Sequence, residues 1–501
     1  VLTTAGAFAG NFVWGPAQKR IQVDSEITLT NRFGKPDTNT ATSFFTAASF
    51  LAYGNNLTVV RAIGANSKNA RANTANAAIQ IANEDVFQAA YLTGSAGSAV
   101  GPVIARYAGA LGNSLTVGSI DAGANSSAFA SWTVGGVTAS PYFNGAPGTS
   151  AQATAAGAAN DEIHIIVIDS GGLITGVKNQ VLEVFPYLSK GSDAVDSLGN
   201  SNYYENVIYN NSKYIYMVDA LSTDPTYATW GRPLANTNYY AQGNTTYTLT
   251  GGVDEIPSAA NADTAYGLFN NADEIDISLI ITGDANISTQ QYVIGIANSR
   301  KDCLAFISPP SANVINQAGN ETTNITAWNT ALARSTSYAV ADSGWKYMFD
   351  KYNNIYRWVP LNGDIAGLCV NTDNVRDPWF SPAGFNRGNL KNVVKLAWNP
   401  NKTQRDTLYA QGVNPVGTFP GNGTVLYGDK TLQTKPSAFD RINVRRLFIV
   451  LEKAIANAAK FSLFEFNDET TRAQFIGLVT PFLRDIQGRR GIYDFRVVCD
   501  T

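Results

Sequence analysis

Few residues in this 501-residue chain have the type and spacing that chemistry requires, and "GNGTVLYGDKT" at 421–431 is the first to weigh. Gly423, four residues, Gly428 and then Lys430-Thr431 approximate a glycine-rich phosphate cradle. Such a loop needs G-x-x-x-x-G-K followed by Ser or Thr, set between a buried strand and a helix. Successive N–H groups and the lysine then converge on the anion. Here Asp429 separates Gly428 from Lys430, shifting the register and putting a carboxylate where phosphate would lie. The preceding "NPVGTFP" carries two prolines, and Pro436 falls where the following helix should run. The stretch is expected to be a short strand, "TVLY", leaving through a Gly-Asp turn.

Other reactive groups are sparse. The sole histidine, His164, lies in "DEIHIIVID", an apolar strand pattern that favours a satisfied core residue over a catalyst. Without a second histidine, any nucleophile–base constellation would have to be built around that one strand residue. Asp273, Glu274 and Asp276 gather in "NADEIDIS", which reads as a junction leading into a strand rather than a metal site. Cys303, Cys369 and Cys499 are far apart in apolar segments, with no C-x-x-C or Cys/His spacing for zinc. They point to synthesis in a reducing, cytoplasmic setting. The glycine-rich "TGSAGSAVG" (93–101) is not G-x-G-x-x-G and follows no buried strand. In "DKYNNIYRWVP" (350–360), aromatic and basic residues interleave as they do where bases or sugars stack, but such residues more often pack a turn, and that reading is preferred. No catalytic, cofactor-binding or metal-binding residue is assigned.

Composition limits the partners. Charged residues make up 15 % of the chain, against ~25 % in ordinary domains, and the net charge of −3 offers no basic field for nucleic acid. A large chain with so few charges is suited to covering its surface with neighbours. No apolar run reaches the length of a membrane span, and no charged-then-apolar leader opens the chain. An apolar share of 45 % suffices for several cores, so two to four domains are expected.

The elements follow from periodicity. "DSEITLTNRFG" reads as a short helix ending at Gly34. "TSFFTAASFLAYG" places Phe44, Phe45, Ala48 and Leu51 on one helical face, with "LTVVRAI" following as a strand. From residue 67 to about 160, Ala, Gly, Ser, Asn and Thr dominate, suggesting a loop-rich insertion. "DEIHIIVIDSGGLITGVKNQVLEVF" then reads as a hairpin about "DSGG". From 274, "EIDISLIITG", "TQQYVIGIANSRK" and "CLAFISPP" form strand–helix–strand, implying a parallel pair. A helix is expected from about 389. In the last ninety residues, Asp440 is the expected N-cap of "RINVRRLFIVLEKAIANAAK", with Val444, Phe448, Leu451, Ile455 and Ala458 as its buried stripe. A second helix, "ETTRAQFIGLVTPFLRDIQG", is expected to bury Phe475, Val479, Phe482 and Ile486, with a kink at Pro481. In "GIYDFRVVCDT", Tyr493, Phe495, Val497 and Cys499 alternate to one face, as in a half-buried strand. Arg446, Lys453 and Lys460, seven apart, form a basic stripe. Arg484, Arg489 and Arg490 form a second basic group.

Three stretches together resemble the contractile tail sheath proteins of myophages, in their T-even-like form. They are "RWVPLNGDIAGLCVNTDNVRDPWFSPAGFNRG" (357–388), with a Gly-Asp-x-Ala-Gly turn; "FDRINVRRLFIVLEKAI" running on to "FEFND"; and the closing "GIYDFRVVCDT". "GNGTVLYGDKT" sits where that family carries a similar Tyr-Gly-Asp-Lys-Thr. "AGAFAGNFVWGPA" and "RYAGALGNSLTV" (106–117) extend the likeness toward the amino terminus.

The resemblance implies a multidomain α/β and α+β fold. A mixed-sheet α/β body would use residues 1–66 and 250–412, a β-rich outer insertion 67–249, and an inner, tube-facing α+β domain 413–501. It implies a structural subunit without enzymatic activity or cofactor. Such subunits form hexameric rings stacked helically on a tail tube, and contract from a metastable extended state to drive the tube through the host envelope. The implied partners are copies of itself, the tail tube protein, and baseplate and tail terminator proteins, with no nucleic acid and no membrane insertion. The implied location is the virion, after assembly in the host cytoplasm. On this reading Arg446, Lys453, Lys460, Arg484, Arg489 and Arg490 are candidates for contact with an acidic tube. Tyr493, Phe495, Val497 and Cys499 would form a strand in a sheet shared between subunits, which exchange terminal arms. The family starts earlier than Val1 and runs past Thr501, so a chain lacking these arms is expected to fold yet polymerise poorly. By the same likeness the chain is expected to lack the extra outermost domain of the longest members. The sheath of a bacteriocin or secretion-type injection system is the alternative within this class. A glycan- or receptor-binding module in 67–249 is the alternative outside it.

Overall fold

The computed structural model describes residues 2–72, 78–92, 102–218 and 229–499. Its centre is a seven-stranded sheet whose strands come from three separated stretches of sequence. In spatial order they are Val413–Asn414, Ala339–Asp342, Leu304–Ile307, Leu279–Ile281, Gly6–Asn11, Leu57–Ala62 and Arg20–Val23. Neighbours run parallel except for the last pair, so the sheet is mixed. Leu279–Ile281 and Leu304–Ile307 are buried throughout, as continuous apolar runs must be when both faces of a parallel sheet are covered. The helix between them, Ile287–Arg300, starts at Asn286, whose side chain accepts the Thr289 N–H at 3.0 Å.

One face of the sheet is covered by two helices, α1 (Ala41–Leu51) and α2 (Asn362–Val375), which with Phe8, Phe12 and Val59 enclose a large apolar core. The other face buries Ala7, Val60, Tyr266, Val293 and Trp328. α2 contains the Gly-Asp-x-Ala-Gly stretch expected to turn. Its glycines serve helix-to-helix approach instead: a Cβ on Gly363 would lie 2.5 Å from the Thr46 carbonyl oxygen, and one on Gly367 2.4 Å from the Tyr53 ring. The helix expected from about 389 begins only at Lys402 and runs to Ala410. Pro400 precedes a capping box between Asn401 and Gln404.

The inserted region has its own four-stranded antiparallel sheet, ordered Asn244–Thr248, Leu115–Asp121, Glu162–Asp169, Gln180–Ser189. The last two strands form the expected hairpin, but their connection spans residues 170–179, wider than the "DSGG" turn. Asp169 dictates the width: its carboxylate accepts the N–H groups of Ile174 (3.1 Å) and Thr175 (2.8 Å) and the Thr175 hydroxyl (2.8 Å). Where the insertion leaves and rejoins the body, Lys68 and Val253 exchange both backbone hydrogen bonds, at 2.9 and 3.0 Å.

The sheet runs on across the boundary expected at 412/413. Val413–Asn414 is its edge strand, and the hairpin Val416–Phe419/Gly423–Leu426 adds Val416 and Leu426 to the body core. The helical carboxy-terminal unit starts with α3 (Ile442–Ala459), followed by α4 (Glu469–Gly488). Asp440 does not cap α3. It closes a 3₁₀ turn opened by Ser437, and Arg441 takes the cap position without a side-chain bond. The single expected stripe is divided because α3 packs on two sides. Ile442 and Ile449 enter the body core, while Leu447 and Leu451 join Trp379, Val479, Leu483 and Ile486. Val444, Phe448, Ile455 and Ala458 are only half-buried, as are Phe475 and Phe482 on α4, which runs on through Pro481.

Candidate functional site

The glycine-rich stretch at 421–431 is tied into structure at the residues a nucleotide would need. Asp429 accepts from the hydroxyls of Ser381 (3.0 Å) and Tyr409 (3.1 Å) and lies 3.2 Å from the Arg441 guanidinium. The Lys430 ammonium sits 4.5 Å over the Tyr409 ring, and the Lys430 backbone N–H donates to Asn414 Oδ1 at 2.6 Å. The strand ends at Leu426, and Gly423, at φ +75°, opens it from a turn. The stretch thus stitches the sheet edge to the entry of α3.

His164 is fully buried, stacked 4.4 Å from the Phe143 ring at 6°. Its Nδ1 accepts the Tyr187 N–H at 2.9 Å, so the proton sits on Nε2, which donates to the Gly145 carbonyl at 2.8 Å. Burial holds its pKa below the ordinary value, so the ring is a neutral structural bridge. Cys303 and Cys369 are buried, each thiol pushed up to about 12 by desolvation, and Cys499 is half-buried. Glu274 pairs with Arg20 at 3.1 Å and Asp276 with Lys453 at 2.7 Å. Among the described residues no group of three or more His, Cys, Asp or Glu could hold a metal ion, and no helix is long and apolar enough to cross a membrane. "TGSAGSAVG" lies outside the described residues. In "DKYNNIYRWVP" the aromatics belong to a hairpin, Trp345–Asp350 with Ile355–Pro360. There Tyr347 packs on Tyr356 and Trp358, and Lys395 lies over the Tyr347 ring at 5.1 Å.

The structure divides the six basic candidates. Arg446 is 4 % exposed and clamps Asp373 of α2 with two bonds, 2.7 and 2.6 Å, so it locks α3 to the body and is no surface charge. Lys453 is likewise spent internally, on Asp276 and on the Ile277 carbonyl at 2.9 Å. Arg489 pairs with Asp377 and lies 5.2 Å from the Trp379 ring, with half its side chain in solvent. Lys460, Arg484 and Arg490 are exposed. Arg446 and Lys453 lie on α3 and Lys460 follows at its carboxy-terminal cap, and their spacing of seven gave no sign that carboxylates from other elements face the first two.

Residues 492–499 form no regular element and, among the described residues, join no strand of this chain. Phe495 and Val497 rest on the α3–α4 core, Cys499 is half-buried, and Tyr493 stands in solvent. A further feature escaped the sequence reading. The connection between α3 and α4 carries Phe461, Leu463, Phe464 and Phe466, exposed to 85, 61, 105 and 85 %. "KFSLFEF" was a legible signal, since a helix connection is normally polar.

Comparison with known proteins identifies the family. The family models for the phage tail sheath protein central domain, the phage tail sheath C-terminal domain and the tail sheath protein Gp18 domain III N-terminal region match residues 269–432, 434–501 and 4–62. The tail sheath protein of Vibrio phage KVP40 is 35 % identical, covering 99 % of this chain and 90 % of the relative. That of Enterobacteria phage T4 is 31 % identical over 100 % and 89 %. A crystal structure of a sheath tail protein from Listeria innocua superposes with a TM-score of 0.57 at 11 % identity, over 99 % of this chain and 87 % of that one, sharing the fold. The chain therefore belongs to the tail sheath protein family of contractile-tailed phages.

Proposed function

We propose that copies of this chain form hexameric rings stacked helically around a tail tube. The stack shortens from a metastable extended state and drives the tube through a host envelope, without catalysis or cofactor. The observation that carries this reading is the likeness to tail sheath proteins over essentially the whole chain. The internal bonding of His164, the buried thiols and the carboxylate cluster agrees with it, since none is left poised to react. Free energy for such a machine resides in packing between subunits, where a modest gain repeated over many copies is large.

In this reading residues 1–66 and 250 to about 432 are the body, 67–249 the outer insertion, and the α3–α4 unit the part turned to the tube. Lys460, Arg484 and Arg490 are then the cations open to an acidic tube surface. Exposed, screened contacts of this kind are individually weak, which suits a surface that must release during firing. The segment 493–499, which joins no strand of its own chain among the described residues, is the one to pair with strands of a neighbour. Partners would also include baseplate and terminator proteins, with assembly in the host cytoplasm before incorporation in the virion.

Helical reconstruction of particles built from the full-length protein, before and after treatment with acid or urea, tests the reading. The expected result is one lattice in two lengths, the shorter being wider. Particles that dissolve into subunits without ever shortening would refute it.

A further inference from the structure

The α3–α4 connection is a projecting apolar knob. Residues 463–470 are all exposed, and Phe461, Leu463, Phe464 and Phe466 join no core cluster. Lys453, the last residue of α3 bonded to the body, lies six residues before the helix ends, so the final turns overhang by roughly 9 Å at 1.5 Å per residue. At ~150–250 Å² per aromatic ring, the three phenylalanines alone present on the order of 500 Å² of apolar surface, the scale of a functional patch.

Elsewhere the same chain carries an apolar groove of about 470 Å³, between α1 and the hairpin Trp345–Asp350/Ile355–Pro360. Leu51, Ala52, Met348, Phe349 and Val394 line it. Phe349 and Val394 are 44 and 59 % exposed. The rims are complementary in charge. Glu465, Asp468 and Glu469 outnumber Lys460 and Arg472 around the knob. At the groove Lys351 pairs with Glu26 at 3.1 Å, which leaves the exposed Lys391 and Lys395 flanking the lining residues Asn392, Val393 and Val394. Lys391 and Lys395 lie over the rings of Tyr53 and Tyr347, at 4.7 and 5.1 Å.

We propose that the knob at Phe461–Phe466 of one copy seats in the groove at Leu51, Phe349 and Val394 of a neighbouring copy. The two surfaces differ, so their pairing is head-to-tail and repeats from copy to copy, within a ring or along a helical stack according to its rotation. Desolvated aromatic anchors ringed by opposite charges have the composition of an interface hot spot. This inference rests on the reading of the chain as a self-assembling subunit, and the test separates the two.

In the full-length protein with Cys499→Ser, particles carrying both Phe464→Cys and Val394→Cys should yield a covalent ladder of sheath multimers with a short bismaleimide. Either substitution alone should yield none. A triple variant, Phe461→Ser, Phe464→Ser and Phe466→Ser, should melt like the parent, because these rings touch no core. Its threshold concentration for polymer should rise by about tenfold or more. Particles that assemble yet give no ladder, dimers from Phe464→Cys alone, crosslinks from Phe464→Cys to the tube subunit, or an unchanged threshold each overturn the knob-in-groove contact. A parent that sediments only as a monomer overturns the self-assembly reading and this contact with it, and is seen before any cysteine is introduced.

Discussion

Replacing Asp373 with Asn isolates the electrostatic lock between α2 and α3. Arg446 and Asp373 face each other through two bonds of 2.7 and 2.6 Å, with side chains 4 and 5 % exposed. The amide keeps the shape but removes the charge. It leaves a buried guanidinium with no counter-charge, held by one amide oxygen and by the carbonyls of Cys369 and Thr3, each at 3.3 Å. Breaking a buried pair from one side costs about 3–5 kcal/mol. At 1.4 kcal/mol per decade, opening of the α3–α4 unit should become more frequent by roughly two to three and a half decades. Hydrogen exchange of peptides from 442–459 reads this directly, with strand Leu304–Ile307 as the internal reference. Arg446→Met combined with Asp373→Leu should restore protection to within about 1 kcal/mol of the parent, because it leaves no uncompensated charge. Added salt should change little, since water and ions do not reach the pair. If Asp373→Asn exchanges within about threefold of the parent, or if the apolar pair is as labile as the single variant, the lock is not electrostatic.

Two further outcomes follow from the body. Burial raises the Asp342 pKa from 3.8 to about 8, so the folded chain holds a proton that the unfolded chain releases. Its contribution is complete below 3.8 and is lost as pH rises through about 8. The urea midpoint should fall between about pH 5 and about pH 8.5, and Asp342→Asn should flatten that slope. Gly363→Ala sets a methyl 2.5 Å from the Thr46 carbonyl and should cost about 1–3 kcal/mol. Gly295→Ala, on an exposed helical turn with nothing within 4 Å, should gain about 0.5–1 kcal/mol, and differential scanning calorimetry separates the two.

Periodicity and apolar runs placed the parallel strands at 279–281 and 304–307, and both carboxy-terminal helices, because those elements announce themselves locally. α2 was misread because a glycine that permits two helices to touch looks, in sequence, like a glycine that bends the chain. Arg446 and Lys453 looked like a solvent stripe because their partners, Asp373 and Asp276, are 73 and 177 residues away in sequence. The split of the α3 stripe has the same origin: one helix caught between two cores needs apolar residues on two sides, and a single-face template sees only one. Asp440 failed as a cap because Ser437 and the 3₁₀ turn claim the chain first. Asp169 widened the hairpin for a similarly local reason, a carboxylate gathering three donors beyond the turn.

The seam at Lys68 and Val253 has a bearing on how such subunits can diversify. Because the two chain ends of the insertion lie side by side and are already zipped together, a short linker could join them at little entropic cost. The segment between those two ends is therefore a cassette: evolution or an engineer can trim it or swap it while the seven-stranded sheet keeps its register.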